Sequence, residues 1–160
     1  MRLALKESKK AQIKGDIPVG CIIVKEGKII ARAHNQRELK QISTKHAEII
    51  AIEKACKKNK SWRLEECDLY VTLEPCLMCT GAIINARIEN IFYGASDSKT
   101  GCIESKYNIL DTSFNHQTKA IGGILQNECA KMLQNFFKDL RKEKAKLKNT
   151  KQCQSGEIEI

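Results

Sequence analysis

Long apolar runs, prolines and aromatic residues are all scarce in this chain. No hydrophobic run approaches the roughly 20 residues that a bilayer span requires, so no membrane segment is expected. Only two prolines occur in 160 residues, and there is no Gly/Ser-rich stretch and no internal repeat. Nothing therefore marks a linker at which to divide the chain. One domain is expected over residues 1–150, large enough to bury a single substantial core. The last residues, 151–160, are expected to form a flexible tail. The opening stretch MRLALKESKKAQIKGD alternates apolar and charged residues. It lacks the continuous apolar centre of a secretory signal and reads as an amphipathic helix. A cytoplasmic protein follows as the expectation.

Cysteine and lysine are abundant by contrast. Eight cysteines would suggest disulfides in a small secreted domain. With no export signal and enough apolar residues for a core, reduced thiols are expected here, and metal binding is the special use for any close pair. The formal charge of +9 at pH 7 favours a polyanionic partner such as nucleic acid, although many lysine-rich chains are merely well solvated.

Hydrophobic periodicity orders the elements. VGCIIV (19–24) and KIIARAH (28–34) flank Glu26-Gly27 and read as a hairpin. The polar loop NQRELKQIST follows, then HAEIIAIEKACKK carries apolar residues at helical spacing, with Ser43 or Thr44 available as its cap. CDLYVTL (67–73) is a strand, CLMCTGAIINAR a helix, NIFYGA a strand, and GGILQNECAKMLQNFFKDLRKEKAKLK a long helix, apolar first and basic later. Helices alternating with strands indicate an α/β domain, a mixed sheet with helices on both faces. The single tryptophan, Trp62, is expected to anchor the core.

The chemistry lies in VTLEPCLMC (71–79) and in HAE (46–48). Cys76 and Cys79 stand one helical turn apart, so both sulfurs are expected to reach one ion. Pro75 suits the first helical position, where a missing N–H costs nothing. The positive end of a helix stabilises thiolates, the form that binds zinc. With His46 they supply three ligands, which leaves the fourth tetrahedral position for water and points to catalysis over a closed structural site. Glu48 follows His46 onto the same side of the helix start. A carboxylate there takes a proton from water and passes it to a substrate nitrogen. A lone C-x-x-C is as often a chance pair or a redox motif, but a redox reading leaves His46 and Glu48 without a task. His-x-Glu followed by Pro-Cys-x-x-Cys is the signature of zinc nucleobase deaminases.

Beyond that signature the chain resembles the bacterial tRNA-specific adenosine deaminases of the cytidine/deoxycytidylate deaminase superfamily. The likeness runs through DIPVGCIIV, ARAHN, HAEIIAIE, SWRLEECDLYVTLEPCLMCTGAIINARI, FYGASDSKTG, FNH, GGIL and NFFKDLR. It implies a three-layer α-β-α cytidine-deaminase-like fold with about five strands. It implies one Zn2+ per subunit on His46, Cys76 and Cys79, and Glu48 moving protons between water and N1 of adenine while C6 is attacked and ammonia leaves. Adenosine at the wobble position of a tRNA, typically the arginine acceptor, becomes inosine. The partners implied are a tRNA anticodon loop and a second copy of the chain in a homodimer.

Further residues take roles from the resemblance alone. Asn35, otherwise a turn residue ending a strand, hydrogen-bonds the base, and Val19, otherwise core, lines the pocket. Asp97 and Lys99, otherwise ordinary loop residues, lie against the anticodon loop, with Asp97 near a ribose hydroxyl that distinguishes RNA from DNA. From Lys138 to Lys151 seven Lys/Arg face two acids. Such a run is usually a solvated helix end, but after Phe136-Phe137 it is expected to meet phosphate, with Phe137 and Arg141 as the contacts.

Two stretches depart from the family pattern. Ser43-Thr44-Lys45 replaces Pro-Thr-Ala before the histidine, which brings a cation either to the pocket mouth or to solvent. Gly101-Cys102-Ile103-Glu104-Ser105-Lys106 replaces a small and apolar run. Two rival readings share the metal ligands. A free-base deaminase needs no basic surface, and a noncatalytic zinc-stabilised RNA-binding subunit needs no Glu48.

Overall fold

A computed structural model describes the backbone of residues 1–155 and the side chains of residues 1–147. The expected tail from 151 onward thus lies outside the residues whose side chains are described. The elements are α1 (Arg2–Ile13), β1 (Gly20–Lys25), β2 (Lys28–His34), α2 (Arg37–Lys40), α3 (Ala47–Asn59), β3 (Cys67–Leu73), α4 (Leu77–Asn85), β4 (Asn90–Ala95), a 3-10 turn (Ile109–Asp111), β5 (Lys119–Ile121) and α5 (Gln126–Ser155). The five strands form one mixed sheet in the order β2-β1-β3-β4-β5. β1 runs antiparallel to both β2 and β3, whereas β3, β4 and β5 are parallel.

The pleat explains the layers. In β1, β3 and β4 the odd-numbered residues Cys21, Ile23, Leu69, Val71, Ile91 and Tyr93 are all buried and meet Ala47, Ile50, Ala51 and Ala55 of α3 and Ile83 of α4 in one core cluster. Even-numbered positions face α1 and α5. There the approach is close enough to demand glycine. A Cβ on Gly20 would lie 2.1 Å from the Ala4 carbonyl of α1, and one on Gly94 would lie 2.4 Å from Cys129 Sγ of α5. Three layers result, α on β on α, as the sequence implied.

The hairpin turn takes positive φ at both of its central residues, 49° at Glu26 and 71° at Gly27. That is the primed turn whose twist matches its strands. Several local expectations need correction. Trp62 is 56% exposed, with the Arg63 guanidinium 4.9 Å above its ring, and is not a core anchor. α5 starts at Gln126, because Gly123 and Leu125 both hold positive φ. α2 is a single turn inside the expected loop, and β5 has three residues, too few for a periodic signal. Among the described residues no helix is long and apolar enough to cross a membrane.

The register decides where chemistry sits. Gly20 pairs with His34, Cys21 with Val71, and Leu73 with Ala95. The start of β1 and the ends of β2, β3 and β4 therefore share one edge of the molecule, which gathers Val19, Asn35, Glu74 and Ser96. In open α/β sheets the crevice beyond the carboxyl ends of strands is where ligands bind.

Candidate metal centre and pocket

His46 and Cys76 occupy equivalent places, each the N-cap of a helix with extended backbone: φ −73, ψ 154 for His46 before α3, and φ −77, ψ 173 for Cys76 before α4. Neither makes a side-chain capping bond. The expected cap, Ser43 or Thr44, lies too early, and Pro75 stands one residue before the cap instead of within the first turn. An N-cap side chain normally turns back onto the helix amides. Here both point at each other across the gap between two helix starts. Cys79 completes the group from inside the first turn of α4.

His46 Nδ1 lies 3.8 Å from Cys76 Sγ and 3.6 Å from Cys79 Sγ, and all three ligand atoms fall within 4.8 Å of one another. A tetrahedral zinc with bonds of about 2.0–2.1 Å to nitrogen and 2.3 Å to sulfur separates its nitrogen and sulfur ligands by about 3.6 Å. The cluster therefore fits that ion in donor type and in spacing. In the free protein Cys76 is the thiolate: the hydrogen bond from the Cys79 thiol, then His46, outweigh burial and bring it down to about 4. Cys79, fully buried, is pushed up by that neighbouring thiolate and by burial. The same contact with Cys76 holds His46 above the usual imidazole range. Two helix N-termini with their positive ends converging favour this negative charge.

Glu48 is 4% exposed in the first turn of α3. Burial, the largest influence on it, raises its pKa, so it keeps a proton more readily than a surface glutamate. It lines a cleft of about 640 Å³ together with His46 and Cys76.

The cleft also collects the expected substrate-side residues. Val19 and Asn35 form one wall, Asp97 and Lys99 the rim, and Phe137 and Arg141 reach it from α5. Phe137 packs edge-on against Phe136, with ring centroids 5.4 Å apart. The Asp97 carboxylate is largely spent on its own loop. Its Oδ1 accepts the Lys99 and Thr100 amides at 2.9 and 3.2 Å, and its Oδ2 the Thr100 hydroxyl at 2.6 Å. Lys45 is turned from the pocket by an ion pair with Glu53 on α3, Nζ to Oε2 3.1 Å. A pair this exposed adds at most about 1 kcal/mol of stability, so its consequence is one of direction.

Three further residues escaped sequence reasoning. Arg37 of α2 lines the cleft. Glu74, two residues before Cys76, is 2% exposed. It accepts the amides of Asp97 (3.0 Å), Ile103 (3.1 Å), Glu104 (2.8 Å) and Ser105 (2.9 Å), and the Ser105 hydroxyl as well. Burial opposes the charge on Glu74, yet these donors, Ser105 foremost, hold its carboxyl below the usual range. The departing segment 101–106 is thus folded around a carboxylate from the ligand strand. Glu104 is tied down by the Tyr93 hydroxyl, which donates to it at 2.6 Å. Asp16, fully buried, completes the set. Glu74 and Asp16 stood inside quoted motifs, LEPC and DIPVG, without a task.

Comparison with known proteins gives a consistent picture. The family model of MafB19-like deaminases matches residues 1–141. A tRNA-specific adenosine deaminase of Bacillus subtilis (strain 168) is 50% identical over 145 residues, 90% of this chain and 90% of that protein. One from Aquifex aeolicus (strain VF5) is 47% identical over 142 residues, 88% and 93% of the respective chains. Among solved structures, one from a study of A-to-I editing by tRNA:A34 deaminases at the wobble position superposes with a TM-score of 0.80 at 40% identity. It covers 83% of this chain and 97% of that one.

Proposed function

This chain belongs to the tRNA-specific adenosine deaminase family, and on that footing we propose that it hydrolyses adenosine to inosine at the wobble position of a tRNA, with arginine tRNA as the acceptor. The observation that carries the reading is the buried Glu48 beside the His46, Cys76 and Cys79 cluster, at the bottom of a cleft that also opens onto Arg141.

Zinc held by the three ligands, one ion per subunit, would supply a water acidic enough to attack at neutral pH. The chain's own residues do the rest. Glu48 takes a proton from the attacking water and delivers it to N1 of the adenine ring, and its burial-raised pKa suits a group that must both accept and release. Asn35 hydrogen-bonds the base, and Val19 shields it from solvent. Lys99, Phe137 and Arg141 receive the nucleotides on either side, which only an unstacked loop base can present to so deep a site. Asp97, having shaped the D-x-K-T-G turn, sits where a ribose 2′-hydroxyl would pass. Apolar side chains left exposed next to the ligand segments, Leu39, Ile42 and Leu77, support a homodimer that covers them. A cytoplasmic place suits an enzyme of tRNA.

The test is an arginine tRNA transcript with adenosine at the wobble position, incubated with the zinc-loaded protein, reverse-transcribed and sequenced. An A-to-G change at that position alone is expected. An unchanged transcript, with ammonia released from free guanine instead, would assign the cleft to a free base.

A further inference from the structure

The Asp16 carboxylate, between α1 and β1, joins two segments of the cleft wall. Its Oδ1 accepts the Ile17 amide at 2.9 Å and the Asn35 side-chain Nδ2 at 2.8 Å, and its Oδ2 accepts the Leu39 amide at 3.0 Å. All three donors are neutral amides, and burying a carboxylate among them is costly unless something is gained by it.

The gain is orientation. A side-chain amide has a donor end and an acceptor end of nearly equal size. A carboxylate accepts only, so the Asn35 nitrogen must face Asp16 and its oxygen must face away. That oxygen is the one buried side-chain polar atom without a partner among the described residues. The backbone of Asn35 needs no such help, because its amide already bonds the Val19 carbonyl at 2.9 Å. Through Leu39, the same carboxylate anchors the turn α2, whose Arg37 lines the cleft.

We propose that Asp16 is a positioning residue of the substrate pocket, fixing the Asn35 carboxamide in one orientation and the Arg37–Lys40 turn in one place. The inference rests on the cleft being the substrate pocket, and its test separates the two.

D16N places a donor where amide donors converge, so Asn35 or Leu39 loses its acceptor. The expected result is full zinc content and a melting temperature near wild type, with the KM for tRNA raised at least about tenfold and kcat within about threefold. D16E, which keeps the carboxylate, restores the KM. In an N35A background D16N costs less than it does alone, because the part of its effect that passes through that amide is already gone and only the part through Leu39 remains. An equal loss with and without Asn35, or an unchanged KM, overturns the proposal. The Asn35 carboxamide protons, followed by NMR in the metal-loaded protein, give an arm independent of substrate: slow exchange with solvent in wild type, where Asp16 accepts from Nδ2, and fast exchange in D16N. If the wild-type protein edits no tRNA, the proposed function falls, and this spectrum alone upholds or overturns the role of Asp16. If D16N does not fold, D16E decides: slowly exchanging Asn35 carboxamide protons uphold the role, and rapidly exchanging ones in a folded D16E overturn it.

Discussion

Glu48 and the Cys76 thiolate are two negative groups within one small buried space, and each makes the other's charge harder to hold. His46, Cys76 and Cys79 would hold a cation that relieves that conflict, and Glu48 would then be the group left to exchange protons. E48Q keeps the shape and all three ligands but moves no proton. Metal analysis of E48Q is expected to return one zinc per chain, while deamination of the tRNA transcript falls by at least about 10²-fold. Wild-type rates in a zinc-replete E48Q would show that another group carries the proton. This part of the site was legible in the sequence because the chemistry dictates residue type and local spacing: His46 with Glu48, Cys76 with Cys79. Asp16 and Glu74 were not legible. Their partners lie 23 and 31 residues away, at Leu39 and Ser105, and an acid is recognisable as buried only once the fold has buried it. Asp97 shows the reverse case. The family resemblance implied a ribose contact, yet most of its bonding capacity is turned inward on Lys99 and Thr100.

At the scale of elements, α1 crosses β2 through a polar contact. His34 Nδ1 lies 3.6 Å from Glu7 Oε2, Lys10 pairs with Glu7 at 2.7 Å, and Lys14 approaches His34 Nε2 at 3.5 Å. Burial, then the Lys14 charge, lowers the His34 pKa from 6.5 despite Glu7. A histidine with a folded pKa below its unfolded one binds protons more readily when unfolded, so stability is full above about 6.5 and drains as pH falls through the lowered value. Glu7 is also lowered, though burial opposes the shift, so its own loss comes further down, below its ordinary 4.5. Melting temperatures of zinc-loaded wild type and H34Q, compared from pH 7.5 to 5 (roughly the range a histidine governs), should converge as pH falls, because only wild type has His34 to protonate. Parallel curves would mean that His34 is not the sensor. The dependence of zinc binding on pH is common to both proteins and cancels in the difference. Elements long enough to show a period, α3, β3 and α4, were foreseeable. The one-turn α2 and the three-residue β5 were not, since neither completes a repeat and each is held by tertiary bonds, α2 by Asp16 and β5 by its pairing with β4.

At the scale of the whole molecule the formal +9 charge is distributed over many surfaces, and sequence alone could not say which part faces substrate. Element order announced an α/β layered domain. The end of the sheet that carries the site, and the fact that α5 borders it, follow only from strand register and packing. Arg141 lines the cleft, while Lys57 sits in the last turn of α3, at the helix end opposite His46. Each phosphate contact on a single strand adds about 0.7 to the slope of log affinity against log salt. Filter binding of the arginine tRNA across about 50–200 mM KCl should therefore give R141A a slope shallower by about 0.7 than wild type, with weaker binding at the low-salt end. K57A should track wild type, because a charge remote from the cleft joins only the diffuse field, which salt already screens beyond about 10 Å. Equal flattening in both variants would make the basic character a property of the whole surface, with no strand path over α5. An R141A line parallel to wild type would place the phosphate path elsewhere on the cleft rim, with Arg37 and Lys99 as the cations left to carry it.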